Sequence, residues 1–461
     1  MRIDGVRQVL TCPKVLVLAF GSALLVNVSL GPMAAEIGAA SALVWIVTAF
    51  VGLIQCLLIA ELGSRYPNKV GGVPAYIHEG LKHRSPLFGA VAAWAYWSGW
   101  IPGVAVHLML AATYIRAAFW PDASVVALTL TLAVLVYTLN YFGLRFVVWT
   151  SGVLAVCAVV PLIVILAVPL VHRASWQTTH AWPMLANGLA LTSPPAVLLM
   201  MKWMFVAVWS SYGGEMAATL AGELRDPERD SPKVAVLAGV GTFLAFVVVP
   251  VALIEAVGGD LLARDPYIVF LTAARGVFGG LGSAVVSVML IAALMSGAQL
   301  FIISSSRALY QMSRDGLTFR NCGRVNRYGV PVGSIRWDAL VTLSMLAIFG
   351  TNVVDVVAAA NVSYVLVFVL LPLAYLQVRK RERPRPGVFV LPRIIVPVAW
   401  ILLGVNVAYL VVGGLQWGAQ VMGVGLILMA LGVPLYHLLD RMGELGEESA
   451  AVLSDAVRRD L

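Results

Sequence analysis

The sequence predicts an all-α integral membrane protein with 12 transmembrane helices: a five-plus-five inverted repeat and two C-terminal helices. Three observations carry this. Of 461 residues, 60% are hydrophobic and only 12% are charged, with a mean hydropathy of +0.90; soluble globular chains run at roughly 45–50% and about 25%. Five residues aside, the 31 Lys and Arg fall on the even-numbered connections and the two termini. Two apolar stretches, Val26–Glu36 and Trp209–Glu215, carry small and helix-breaking residues near the start of each half. Paired interrupted helices mark the binding site of a secondary transporter.

Stretches of spanning length run at about 14–36, 39–63, 86–118, 123–143, 146–171, 197–222, 233–256, 278–311, 335–351, 354–378, 393–414 and 417–438. A bilayer needs roughly 20 apolar residues per helix. The stretch 86–118 is longer, so it is expected to tilt or project from the membrane. The first run leads directly into the second without a small-residue cleavage site, so no cleaved signal peptide is expected. The five basic residues on the other side are Arg116, Arg173, Lys202, Arg264 and Arg275. The positive-inside rule then places both termini in the cytoplasm of a multi-pass cell-membrane protein. The net charge of +8 is read as this topology signal. No folded basic domain suggests nucleic acid as a partner.

With five helices per half, the repeats 14–171 and 197–378 have opposite topology. Helices 11 and 12 (393–438) lie outside that core, and 1–440 forms one bundle. A polar, mixed-charge tail, 441–461, is expected as a short cytoplasmic helix or a solvated end. Cys12, Cys56, Cys157 and Cys322 show no CxxC or Cys/His metal spacing. His172 and His180 in the outer loop lack a helical ligand pair beside them. Neither a metal nor any other cofactor is implied, and the sequence carries no signal for an oligomeric state.

The first break reads Val28-Ser29-Leu30-Gly31-Pro32. Unwound there, it frees N–H groups at a half-helix start, which favour a carboxylate, and carbonyls that favour an ammonium. A zwitterion offers both. The alternative is a plain proline kink. The second break reads Trp209-Ser210-Ser211-Tyr212-Gly213-Gly214-Glu215. Glu215 is an ionisable group within an apolar run, which by default marks function. It can receive a substrate amine or carry a coupled proton, or it can simply cap the second half-helix. Trp209 and Tyr212 are rings that attract a cation or pack as ordinary aromatics. Trp100 and Tyr364 join Trp209 as candidate gate aromatics, with Tyr96 and Trp97 weaker. Ser296, Ser304 and Ser305 can line a cation site or back-bond within their helix. Glu61 with Arg65, and Arg229 with Asp230, are expected to form a charge network at cytoplasmic helix ends, outside the binding site.

Several segments resemble the amino acid–polyamine–organocation (APC) superfamily. Ala60-Glu61-Leu62-Gly63 with Tyr66-Pro67 and Gly71-Gly72 looks like its loop after helix 2. Thr219-Leu220-Ala221-Gly222-Glu223 with Asp226-Pro227 is similar to its signature after helix 6. Ser306-Arg307, Tyr310 and Ser313-Arg314-Asp315-Gly316 look like its end of helix 8, and Arg379–Pro386 sits where it places a basic loop. Together these cover about residues 14 to 400. The resemblance implies a leucine-transporter-type fold with a central site between helices 1, 3, 6, 8 and 10. Val28–Pro32 with Glu36 resembles a segment of polyamine and amino-acid proton symporters, and Trp209 is similar in position to a substrate gate of related antiporters. The family's helix 1 glycine-serine-glycine is matched only in part by Gly21-Ser22-Ala23. Its helix 6 glycine-phenylalanine-acid is here Gly213-Gly214-Glu215, and Ala158 stands where some relatives carry a buried lysine.

The expected function is therefore secondary-active, proton-coupled transport of an amino acid or polyamine. An exchanger and a sodium-coupled symporter of the same fold stay open. No HExxH, GxSxG or GxxxxGK[ST] supports an enzyme or an ATP-driven pump, and a break flanked by aromatics fits an ion channel poorly.

Overall fold

The computed structural model describes residues 2–3, 6–7, 10–20, 26–67, 69, 71–142, 189–257, 266–314 and 316–442. The predicted span at 146–171 with Ala158, the partial match Gly21-Ser22-Ala23, the outer loop with His172 and His180, and the tail from 443 lie outside these residues.

Within a bilayer, a chain satisfies its backbone groups as helix or closed barrel, and helix is what forms. A two-residue antiparallel ladder pairs Arg2–Ile3 with Val6–Arg7. The helices are α1 Cys12–Phe20, α2 Val26–Ile37, α3 Ser41–Arg65, α4 Val73–Leu81, α5 Pro86–Trp100, α6 Pro102–Ala118, α7 Val125–Tyr141, α8 Pro194–Ser211 and α9 Met216–Thr219. They continue as α10 Pro227–Val257, α11 Val269–Arg314, α12 Val332–Phe349, α13 Val353–Arg381, α14 Ile395–Ala408, α15 Ala419–Ala430 and α16 Gly432–Arg441. Among the described residues, nine helical stretches are long and apolar enough to cross a membrane, and α7 is a shorter apolar helix.

Local chemistry sets the ends. Pro86, Pro102 and Pro194 open α5, α6 and α8, where a missing N–H is not needed. Ser85 Oγ accepts from the Leu87 N–H at 3.2 Å, and Asn352 Oδ1 accepts from the Asp355 N–H at 3.3 Å. Gly279, at φ 66°, breaks the path of α11 near its start; only glycine adopts that backbone freely. The long predicted span 86–118 is one rod, since Ile101 between α5 and α6 keeps helical dihedrals.

The first predicted break is corrected by the structure. Val28–Gly31 is not unwound; it lies inside α2, with Pro32 also helical. Gly31 is small for another reason. A Cβ there would collide with the backbone of Pro266, so the glycine serves close approach by the segment before α11. Proline within a membrane helix is tolerated when neighbours re-satisfy the freed carbonyl. The chain turns instead at Gly38 (φ 63°), through the 3-10 turn Gly38–Ala40. The second break stands where expected, as a change of helix type. The α-helix stops at Ser211, tightens into the 3-10 turn Gly213–Glu215, continues as α9 and tightens again over Ala221–Glu223.

The core is built from α5, α6, α8, α11 and α13. Of the apolar window of α13, 83% is buried, against 22% for α12, so α13 is central and α12 peripheral. The largest packing partnerships are α3 with α10, α11 with α6, and α13 with α5 and α15. Leu130, Val134, Leu281, Ile394, Ile401 and Ile427 are exposed, an apolar exterior suited to lipid. Short α4 was hidden in a predicted loop. It buries Val73, Pro74, Ala75, Tyr76, Ile77, Gly80 and Leu81, and leaves only His78 and Glu79 partly exposed. The N-terminus is tied down by a bridge of Leu10 with Leu224 and the Arg225 N–H on Leu10 O at 3.0 Å.

Candidate functional site

The helix change after Ser211 delivers Glu215 into the middle of the bundle, where it is 1% exposed. Three neutral donors meet its carboxylate. Trp100 Nε1–H reaches Oε1 at 2.9 Å, Tyr96 OH reaches Oε2 at 3.0 Å, and Tyr364 OH reaches Oε1 at 3.4 Å. Two of them ride on α5 and one on α13, so two helices converge on one acid. Among the described residues no cation pairs with it. An ion removed from water costs several kcal/mol unless opposite charge or a proton offsets it. Such an arrangement can take up a proton or a cationic group.

Rings wall this acid. Trp100 stands 4.8 Å from Tyr364, 4.7 Å from Phe301 and 5.6 Å from Trp209, centroid to centroid. Trp209 is pinned by its Nε1–H on Gly99 O at 3.0 Å and packs on Phe301 at 5.4 Å. Gly103 makes this closeness possible, since a Cβ there would strike Phe301 and come within 2.7 Å of Trp209. Tyr212, at the break itself, donates to Asn406 Oδ1 of α14 at 3.0 Å and sits edge-on to Phe368 at 4.8 Å. Aromatic faces attract ammonium and guanidinium groups, so acid and rings suit the same guest.

Of the residues expected from sequence, the structure gathers Trp100, Trp209, Tyr364 and Glu215 into one cluster, with Tyr96. Gly214 packs tightly on α10, where a Cβ would come within 3.0 Å of Ala238 O. Ser29 and Ser211 are buried with hydroxyls that find no partner among the described residues. Val28, Leu30, Ser210 and Gly213 are buried, and no hydrogen bond joins Val28–Gly31 to Glu215 among the described residues. On α11, two of the candidate cation-site serines have other partners. Ser305 donates to Asp338 Oδ2 at 2.9 Å, and Ser304 accepts from Thr219 Oγ1 at 3.3 Å.

Sequence reasoning missed Phe301, an apolar residue with nothing to mark it, and the buried acid Asp338 of α12. It also missed most of the Glu61 network. Glu61 pairs with Arg65 (2.8 Å) as expected, but also with Arg379 (2.5 Å), Tyr375 OH (2.7 Å) and the Leu391 N–H (3.0 Å). Arg229 and Asp230 do not pair. Asp226 Oδ1 caps the Arg229 N–H at 3.3 Å and Asp230 meets Lys233 at 3.6 Å. Before the opposite end of α3, on α2, Glu36 takes Lys202 Nζ at 2.8 Å on both oxygens. The Lys202 ammonium lies 4.8 Å from the Trp417 ring.

A membrane helix bundle with an uncompensated acid and rings at a helix break has the build of a permease core. Residues 10–433 match the amino acid permease family, and the chain belongs to it. It is 26% identical over 331 residues to an uncharacterised transporter of Legionella pneumophila, covering 69% of each. It is 25% identical over 323 residues to the amino-acid permease RocE of Bacillus subtilis, covering 66% of this chain and 65% of that one. The polyamine transporter PUT1 of Oryza sativa subsp. japonica is 25% identical over 392 residues, 78% and 66% of the two chains. The chain thus spans about two thirds of the length of these relatives. Family and apolar helices together make this a multi-pass membrane protein, and family membership indicates a transporter rather than an enzyme.

Proposed function

We propose that the chain is a secondary-active importer of an amino acid or polyamine in the cell membrane, driven by a proton gradient and working by alternating access. In this reading it has twelve spans, a five-plus-five inverted repeat followed by two helices, and cytoplasmic termini. The observation that carries it is Glu215, buried at a helix break among Trp100, Tyr96, Tyr364 and Trp209, with no cation beside it among the described residues. The substrate amine takes that place, and Trp209 closes over it. Ser29 of α2 and Ser211 at the end of α8, buried without partners among the described residues, supply hydroxyl contacts, alongside Ser210, Gly213 and Gly214. The relatives named as amino-acid and polyamine carriers support the substrate class.

Access is controlled at two ends. The Glu61–Arg379 cluster ties α3 to α13 and closes one end; the Glu36–Lys202 pair ties α2 to α8 and closes the other. Ser305 turned toward Asp338 weighs against a sodium site on helix 8. Radiolabelled uptake into proteoliposomes, screened over amino acids and polyamines with and without an inward proton gradient, tests the proposal. Accumulation of a cationic or zwitterionic amine that collapses with a protonophore is expected. Uptake that needs sodium and ignores the protonophore overturns the coupling.

A further inference from the structure

Asp338 is a second acid inside the bundle that the Glu215 chemistry does not use. It lies on α12 and is fully buried. Trp97 Nε1–H donates to its Oδ1 at 2.6 Å and Ser305 Oγ–H to its Oδ2 at 2.9 Å. Among the described residues no ion pair reaches it. The titratable groups within its electrostatic reach are Tyr137 of α7, whose OH lies 2.7 Å from Thr342 Oγ1, and Cys322 in the turn before α12. From α6 and α13, which also pack on α12, neither a hydrogen bond nor an ion pair reaches it.

A small cavity is lined by Asn140, Ser306, Arg307 and Ile335. Ser306 adjoins Ser305 in sequence, and Ile335 lies three residues before Asp338, on the same side of α12. Arg307, also at that cavity, follows Ser305 by two residues on α11.

Three helices therefore meet at this carboxylate: α5, α11 and α12. Helix α5 is also the one that carries Tyr96 and Trp100 to Glu215. Adjacent residues, Tyr96 and Trp97, hold two different acids. We propose that Asp338 is the proton-binding group of the transport cycle, while Glu215 engages the substrate. This rests on the reading of the chain as a proton-coupled permease. The proton adds to a carboxylate oxygen of Asp338 and later leaves to water. Ionised, Asp338 grips α5 and α11 with charge-assisted bonds, which are roughly twice as strong as neutral ones. Protonated, it loosens both, and α5 is freed to shift against α12 as the substrate site changes access.

The test uses the purified full chain in proteoliposomes with the substrate identified by uptake. Asp338→Asn is expected to keep counterflow exchange within about threefold of the parent, because Glu215 is untouched, yet to lose at least about tenfold in gradient-driven accumulation. Substrate-induced alkalinisation outside the vesicles should vanish with it. Ser305→Ala removes a donor that favours the ionised acid, so the pH midpoint of uptake should rise by about half a unit or more. Accumulation and proton movement by Asp338→Asn equal to the parent overturn the inference. So does equal loss of exchange and accumulation in a folded, monodisperse variant, which marks a structural role. If Asp338→Asn does not fold, Ser305→Ala decides, and an unmoved midpoint overturns it. A parent protein whose uptake ignores protonophores overturns the coupling proposal itself, before any variant is made.

Discussion

Glu61 and Glu215 are both buried carboxylates on helices that cross the same bundle, and their surroundings are opposite. Glu61, at the end of α3, is met by the Arg65 and Arg379 guanidinium groups, the Tyr375 hydroxyl and the Leu391 N–H. Glu215 is met by two hydroxyls and an indole, all neutral. Burial is the same; the charge balance is not. A compensated acid holds structure together, and an uncompensated one keeps a place for a charge that arrives from outside.

The largest effect that would break this contrast is at Glu61. Glu61→Ala strands two guanidinium groups and should destabilise the protein by about 3–5 kcal/mol, read as a lowered thermal transition in detergent. An unchanged transition would mean that the cluster is no latch. Glu215→Gln should do the reverse. Its thermal transition should stay or rise, while uptake and exchange both fall about 30- to 100-fold, the equivalent of roughly 2–3 kcal/mol of lost charge pairing. Normal uptake by this variant would remove Glu215 from the site. Trp209→Phe keeps a ring but loses the bond to Gly99 O. It should weaken apparent substrate affinity about fivefold, in line with the ~1 kcal/mol of a cation–π contact, and leave folding intact.

The smallest effect concerns Glu79 of α4, a largely buried acid paired with two lysines. Burial pushes its carboxyl up, but the ammonium groups of Lys69 and Lys82, each 2.7 Å away, hold it below the usual carboxylate range. Its contribution is therefore present above the ordinary carboxylate value and fades as pH falls through its own lowered one. Glu79→Gln should cost up to about 1 kcal/mol at neutral pH, and its gap to the parent should close in acid. A gap that is constant with pH would show that the pairing is not the cause.

How much of this was legible follows from the range of each signal. Glu215 announces itself, since an acid in an apolar run needs explaining, and the Gly213-Gly214 pair marks the change of helix beside it. Asp338 carries the same signal in the predicted span 335–351 and was passed over. The partners of Glu61 were out of reach, because Arg379 lies 318 residues away and no local pattern joins them. Gly31-Pro32 misled for a physical reason. Glycine beside proline reads as a break, but Gly31 makes room for Pro266 and Pro32 fits within α2. Phe301 could not be found at all, since an aromatic among apolar residues looks like packing until Trp100 and Trp209 are seen against it.

The Glu36–Lys202 pair has a use at the bench. Trp203 and Trp417 flank Lys202, edge to face at 5.3 Å, and the Trp417 indole N–H rests on Lys202 O at 3.1 Å. A movement that parts α2 from α8 must change the surroundings of these two indoles together. A variant that keeps only Trp203 and Trp417 of the 13 tryptophans would follow such a movement by its fluorescence in real time, without an added label.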